Sequence, residues 1–282
     1  MINEVKNDKK FMIYLKHHSI LIIALLFYSL SLYSQSEKEP TLKGKKIIYV
    51  FGGWEGHFPK QSVNVIVPKL RAAGADVKVF NNLRVYTNKK IMDNADLIIQ
   101  IWTMGKISEK QFEGLQSAIM SGTGFSGWHG GMGDAFRDNL KYQFMVGGQF
   151  IFHPGGKIDY GINIIDKKDP ITKDISDFSL KNTEQYYMLV DPNTKVLAVS
   201  KFVKDRYEKP GKKEIKVTGS VMPVVWKKNY GKGRIFYSSI GHFMTDFEVP
   251  EVLKMQMRGF AWASEGKYHK KEDLINPFIK IK

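Results

Sequence analysis

Two runs of this chain, Ile47–Phe51 (IIYVF) and Leu97–Ile101 (LIIQI), are apolar almost without interruption. A strand with one wet face alternates, so runs of this kind must be covered on both sides, as in a parallel sheet flanked by helices. Shorter runs at Val77–Phe80 and Gly124–Trp128 belong with them. Between these lie segments of helical period: Gln61–Ala73, with Val63, Ile66, Val67 and Leu70 on one face and Gly74 behind it, and Ser108–Met120. Strand, helix, strand, short helix, strand, helix, strand is the pattern of a doubly wound α/β sheet with right-handed crossovers. The four runs are expected side by side in a mostly parallel sheet with helices on both faces.

The fourth run lies within an unusual stretch, GTGFSGWHGGMG from Gly122 to Gly133. Its glycines permit tight turning and close approach to a ligand, so His129 is expected in an exposed loop at a strand's carboxyl end. Asp134–Val146 then reads as a helix capped by Asp134 and stopped by Gly147 and Gly148. Ile158–Asp166 and Ile175–Leu189 read as β-structure with irregular loops, and Lys195–Phe202 as a strand. Lys204–Lys216 reads as an exposed hairpin or loop. Pro223–Trp226, a turn over Lys227–Gly233 and Arg234–His242 form a hairpin, and Val249–Ala263 a last amphipathic helix. The polar tail, 266–282, is expected to pack loosely.

The chain has no cysteine, which removes disulfides, thiolate ligands and cysteine nucleophiles. Its formal charge is +15, yet the lysines fall in scattered pairs such as Lys45-Lys46, Lys89-Lys90 and Lys227-Lys228. Without a basic helix, a zinc finger or an RNA-binding aromatic motif, no nucleic-acid partner is expected and the charge reads as a solvated surface. At the amino terminus Lys9, Lys10 and Lys16 precede an apolar run, Ile20–Ser34, short for a membrane span and right for the core of a secretory signal. Residues 1–34 are therefore read as a cleaved signal peptide and 35–44 as a linker. The expectation is a periplasmic or secreted protein with no membrane attachment after cleavage; self-association into a homo-oligomer is left open.

Outside the signal and the tail, histidines stand at positions 57, 129, 153 and 242, each just past a predicted strand or in the loop after one. Ligands of open α/β sheets bind beyond the carboxyl ends of the strands, so His57, His129, His153 and His242 are expected around one pocket. Glu184, set among aromatic residues in NTEQYYML, joins them as a base whose pKa partial burial would raise. His129, Glu184 and His242 are the catalytic candidates. Trp54, His57, Trp128, His153 and Tyr186 are the candidates for substrate contact, since aromatic faces suit the apolar faces of sugar rings. Glu55 and Asp134 share the predicted rim, but an exposed loop acid and a helix cap account for them. Imidazole with carboxylate suits a first-row divalent metal, zinc first, held by two or three of the four histidines together with Glu184 and leaving a water position open. No HxH or HExxH spacing forces a metal, and a metal-free acid–base pair is the alternative.

The ordered blocks GGWEGH, GFSGWHGG, GGQFIFHPGG, TEQYYM and PVVWKKNYGKGRIFYSSIGH resemble the ThuA-like (trehalose utilisation) family from about Lys45 to Ala263, the last block being the most specific. The resemblance implies a flavodoxin-like fold of the class I glutamine amidotransferase kind with added β-hairpins, in a domain spanning 45–265. It also implies a role in sugar metabolism beside sugar dehydrogenases, with 3-keto-sugars as substrates. Superfamily members that hydrolyse glutamine use a cysteine at a strand-to-helix elbow, where this chain has His129, so amidotransferase chemistry is excluded. The family commonly places an aspartate before the glutamate of the fourth block; here Thr183 stands there, which puts a two-carboxylate role in doubt. Two functions follow. One is an exported enzyme that isomerises or cleaves a keto-sugar or keto-glycoside; the other is a non-catalytic carbohydrate-binding protein on the same fold.

Overall fold

The structure, a computed structural model, describes residues 41–207 and 214–274. The segment read as a signal peptide, most of the stretch read as a linker, the middle of the lysine-rich segment and the end of the tail lie outside the described residues.

The chain runs through β1 (Lys46–Gly53), α1 (Pro59–Ala72), β2 (Asp76–Phe80), α2 (Lys89–Asn94), β3 (Leu97–Thr103), α3 (Glu109–Met120), β4 (Gly124–Trp128), α4 (His129–Gly133) and α5 (Leu140–Val146). It continues through β5 (Gly148–Phe152), β6 (Lys157–Ile164), β7 (Phe178–Glu184), β8 (Tyr187–Val190) and β9 (Lys195–Lys201). Two-residue strands β10 (Arg206–Tyr207) and β11 (Glu214–Ile215) precede the long pair β12 (Val221–Tyr230) and β13 (Gly233–Ser238), and α6 (Pro250–Ala263) follows.

The main sheet has the order β2-β1-β3-β4-β13-β12-β9-β6-β7. The pairs from β2 to β13 are parallel and those from β13 to β7 antiparallel. The expected parallel strands are thus adjacent, and the fold is a flavodoxin-like α/β architecture with antiparallel additions. The absence of alternation in β1 has a direct cause. Ile47 and Tyr49 enter the core shared with Ile66 and Leu70 of α1 and with Met255 and Phe260 of α6. Ile48 and Val50 enter the opposite core, with Phe112 and Leu115 of α3 and Tyr142 and Met145 of α5. All of these side chains are buried, each contributing about 1.5–3 kcal/mol relative to exposure. Helix α3 begins where the sequence places it, with Ser108 and Gln111 exchanging side-chain and backbone hydrogen bonds in a capping box.

Several details differ from the sequence reading. The glycine-rich turn after β4 is the short helix α4, and all of its residues are buried. A Cβ on Gly131 would lie 2.8 Å from Ile101 Cα, so this glycine serves close packing on β3 and not exposure. Asp134 does not cap the start of the helix that follows it. It forms an ion pair with Arg137, and α5 starts later, where Asn139 accepts a hydrogen bond from the Tyr142 amide. The turn expected over Lys227–Gly233 shrinks to Gly231 and Lys232, because Tyr230 already pairs with Gly233. Lys227 and Lys228 sit buried in β12, where Asp169 (2.7 Å) and Asp191 (2.6 Å) neutralise them. Nor is the described part of the tail loose. Glu272 pairs with Arg234 at 2.8 Å and accepts from Trp262 Nε1, Tyr268 donates to Asp96, and Leu274 is buried. Leu42, assigned to the linker, is likewise part of the core. Lys45, just before β1, pairs with Glu265, just after α6, at 2.9 Å.

Candidate functional site

Strands β1, β3, β4 and β13 are neighbours and parallel, so their carboxyl ends open on one place. Each delivers a group there. Past β1, a 3₁₀ turn over Glu55–His57 presents His57, and Thr103 ends β3. His129 follows β4 directly with a φ of +47°, a left-handed conformation rare outside glycine, at the elbow between strand and helix. Ser239 and His242 follow β13. The antiparallel extension adds Glu184, the last residue of β7, whose carbonyl accepts from Tyr160 Oη.

The side chains converge on one oxygen. Glu184 Oε2 lies 3.1 Å from His129 Nε2, 3.2 Å from His242 Nδ1 and 3.9 Å from His57 Nε2. The ring centroids of His57, His129 and His242 stand 4.7–5.3 Å apart. All four residues are buried. Backbone and hydroxyl groups fix the rings from behind: His129 Nδ1 donates to the Ser239 carbonyl at 2.8 Å, and His57 Nδ1 meets Thr103 Oγ1 at 2.9 Å.

These contacts decide the charges. A carbonyl only accepts, so His129 carries its proton on Nδ1 and turns the lone pair of Nε2 toward Glu184. Burial, opposed by Glu184 and reinforced by the other two histidines, lowers the His129 pKa to about 3, which leaves the ring neutral at pH 7. Burial alone would raise Glu184, as the sequence reading supposed. The imidazoles of His129, His242 and His57 gathered around its oxygen outweigh it and hold this carboxyl well below the usual carboxylate range, so Glu184 is a weak base and not a strengthened one. A lone pair and an ionised carboxylate oxygen 3.1 Å apart repel unless they share a positive charge.

A divalent cation fits this donor set. One ligand atom from each of His57, His129, Glu184 and His242 lies within 4.8 Å of the other three. Nitrogen and oxygen ligands bound at about 2.0–2.2 Å around a tetrahedral ion stand roughly 3.4 Å apart, and the three separations from Glu184 Oε2, 3.1, 3.2 and 3.9 Å, lie around that value. His242 Nδ1 also lacks a hydrogen-bond partner of acceptable geometry despite its nearness to Glu184, as expected of an atom aimed at a cation.

The remaining candidates divide. His153, expected among the metal ligands, stands outside the group of four: its Nε2 is 3.6 Å from the other oxygen, Oε1, and the side chain is one-third exposed. Trp54 is half exposed and meets the His57 ring edge-on at 4.8 Å. Tyr186 is buried and stacks on His129 at 3.9 Å. Trp128 is not at the site. As a residue within β4 its ring turns into the core against Phe247 and Phe260, out of reach of any ligand. Asp134 is buried with Arg137, and Glu55 is exposed. Thr183, in place of the expected aspartate, donates to Asp246, a buried carboxylate from another element. Thr103 and Ser239 were not anticipated: the first is one more residue of an apolar strand, and the second acts through its backbone.

Fold and cluster together define an α/β protein with a histidine–carboxylate centre at the elbow position. The sequence profile of the trehalose-utilisation family, ThuA, matches residues 46–263, and the chain belongs to that family. A ThuA-like protein from Bacteroides uniformis has the same fold at 17% identity, with a TM-score of 0.62 over 82% of this chain and 95% of that one. Another from Parabacteroides merdae, also at 17% identity and a TM-score of 0.62, covers 82% of this chain and 93% of its own. A cytoplasmic protein from Salmonella typhimurium is more distant, at 12% identity and a TM-score of 0.52 over 80% of this chain and 100% of that one. At these identities the likeness is one of fold. No curated protein matches the chain.

Proposed function

We propose that this protein acts on a keto-sugar or keto-glycoside at a divalent-metal centre formed by His57, His129, His242 and Glu184, and that it works outside the cytoplasm. The observation that carries the metal reading is the convergence of one ligand atom from each of His57, His129, Glu184 and His242, all buried, within 4.8 Å of one another. Membership of the trehalose-utilisation family supports a carbohydrate substrate. A bound divalent ion would polarise a sugar carbonyl and make the adjacent C–H bond acidic, as isomerisation or elimination requires.

The chain's own residues have separable parts in this. Glu184, His129, His57 and His242 hold the centre, while the Ser239 carbonyl and the Thr103 hydroxyl keep two of the rings in the binding tautomer and orientation. His153 and Trp54, the partly exposed members, mark the side from which a sugar enters, and the Trp54 ring offers it an apolar face. The deciding experiment incubates purified protein with oxidised and unoxidised disaccharides, with and without a chelator, and analyses the products. Conversion of the oxidised sugar alone, abolished by chelator and restored by added metal, is the expected outcome. Saturable binding without conversion would replace the enzyme by a carbohydrate-binding protein; conversion unaffected by chelator would remove the metal.

A further inference from the structure

Five buried side-chain polar atoms among the described residues lack a hydrogen-bond partner, and three of them, His153 Nδ1, Tyr186 Oη and His242 Nδ1, belong to residues of this one site. Native interiors leave few such groups, so a concentration of them marks a place where a ligand completes the bonding. His242 is accounted for by the centre itself. Tyr186 is not.

Its hydroxyl is held in place without being used. The ring is clamped between His129, stacked at 3.9 Å, and Phe150, at 4.4 Å, and the residue is 1% exposed. A Cβ built on Gly130 would lie 3.1 Å from Tyr186 Oη and 2.3 Å from His57 Nδ1, so the bare glycine lets the His57 ring pack against the backbone and the hydroxyl stands beside that ring. A phenol at neutral pH is a proton donor. Three neutral imidazoles and one carboxylate around a divalent ion leave one positive charge uncompensated, which favours a ligand carrying one negative charge on oxygen.

Resting on the metal reading above, we propose that Tyr186 donates the hydrogen bond that stabilises a monoanionic oxygen ligand at the centre, of the kind formed when an α-hydroxyketone becomes an enediolate. The site then discriminates by charge and oxygen spacing, accepting the oxidised sugar and its enediolate in preference to a neutral polyol.

Acetohydroxamate, a monoanion with two adjacent oxygens, tests this without turnover. Wild type and Tyr186→Phe are loaded with Co²⁺, metal stoichiometry and melting temperature are recorded, and acetohydroxamate is titrated against the cobalt absorption spectrum. The expected result is equal Co²⁺ uptake, an unchanged or higher melting temperature in Tyr186→Phe because an unpaired buried hydroxyl has been removed, and acetohydroxamate binding weaker by about ten- to a hundredfold, as for one hydrogen bond to a charged acceptor. Equal acetohydroxamate affinity in the two proteins overturns the assignment. So does loss of Co²⁺ by Tyr186→Phe, which would make the tyrosine a support for His129 only, and so does a Co²⁺-loaded wild type that ignores acetohydroxamate. A wild type that takes up no Co²⁺ removes the metal centre and this assignment with it, which separates the two failures.

Discussion

At the scale of single residues, the cluster depends on groups that stand behind its rings. Thr103→Val keeps the size and branching of the side chain and deletes the hydroxyl facing His57 Nδ1. Loss of such an orienting partner is expected to weaken metal binding about 10–100-fold, read by competition with a chelator; an unchanged affinity would show that packing alone orients His57. The histidines were legible in the sequence because each follows a strand, and a strand's carboxyl end is a position that sequence can locate. Glu184 was found for an incomplete reason. Aromatic neighbours forecast its burial, but three imidazoles around one oxygen reverse the direction in which its proton affinity moves. Trp54 and Trp128 looked equivalent, both lying near strand ends, yet one stands beyond its strand and the other within it, and the pleat sends the second into the core. Ser239 left no trace in the sequence, since any residue carries a carbonyl.

Among elements, the contact between α4 and β3 sets the position of His129. Gly131→Ala would place a methyl group 2.8 Å from Ile101 Cα, a clash with backbone that is expected to cost about 1–3 kcal/mol as overpacking. Displacing α4 also displaces its first residue, so a lower melting temperature should be accompanied by weaker metal binding. Gly161→Ala in β6, whose Cβ would meet only the Phe178 carbonyl at 4.0 Å, serves as the comparison and should change neither. A Gly131→Ala protein with normal stability and normal metal affinity would deny the coupling. The parallel strands up to β4 were legible because burial on both faces writes itself into composition. The pairing of β13 with β4, Phe236 against Ser126, was not, because the local signal at Arg234–His242 is that of a hairpin and its parallel neighbour is remote in sequence. Lys227 and Lys228 misled for a related reason: a lysine signals solvent unless a carboxylate from elsewhere, here Asp169 or Asp191, is brought to it.

For the molecule as a whole, the reading as an exported protein rests on the basic residues and apolar run of the amino-terminal segment, residues 1–34. Expressed with that segment in a Gram-negative host, the protein is expected in the periplasmic fraction with an amino terminus close to Gln35, as amino-terminal sequencing would read; full-length protein in the cytoplasm would refute this. The ion pair between Lys45 and Glu265 bears on how such a protein is handled after export. It fastens the entry and the exit of the domain side by side, at the pole where the parallel strands start, whereas the histidines occupy the pole where they finish. A tether attached at Lys45 or Glu265 therefore leaves from the blind end, and a molecule immobilised there presents its histidine cluster outward.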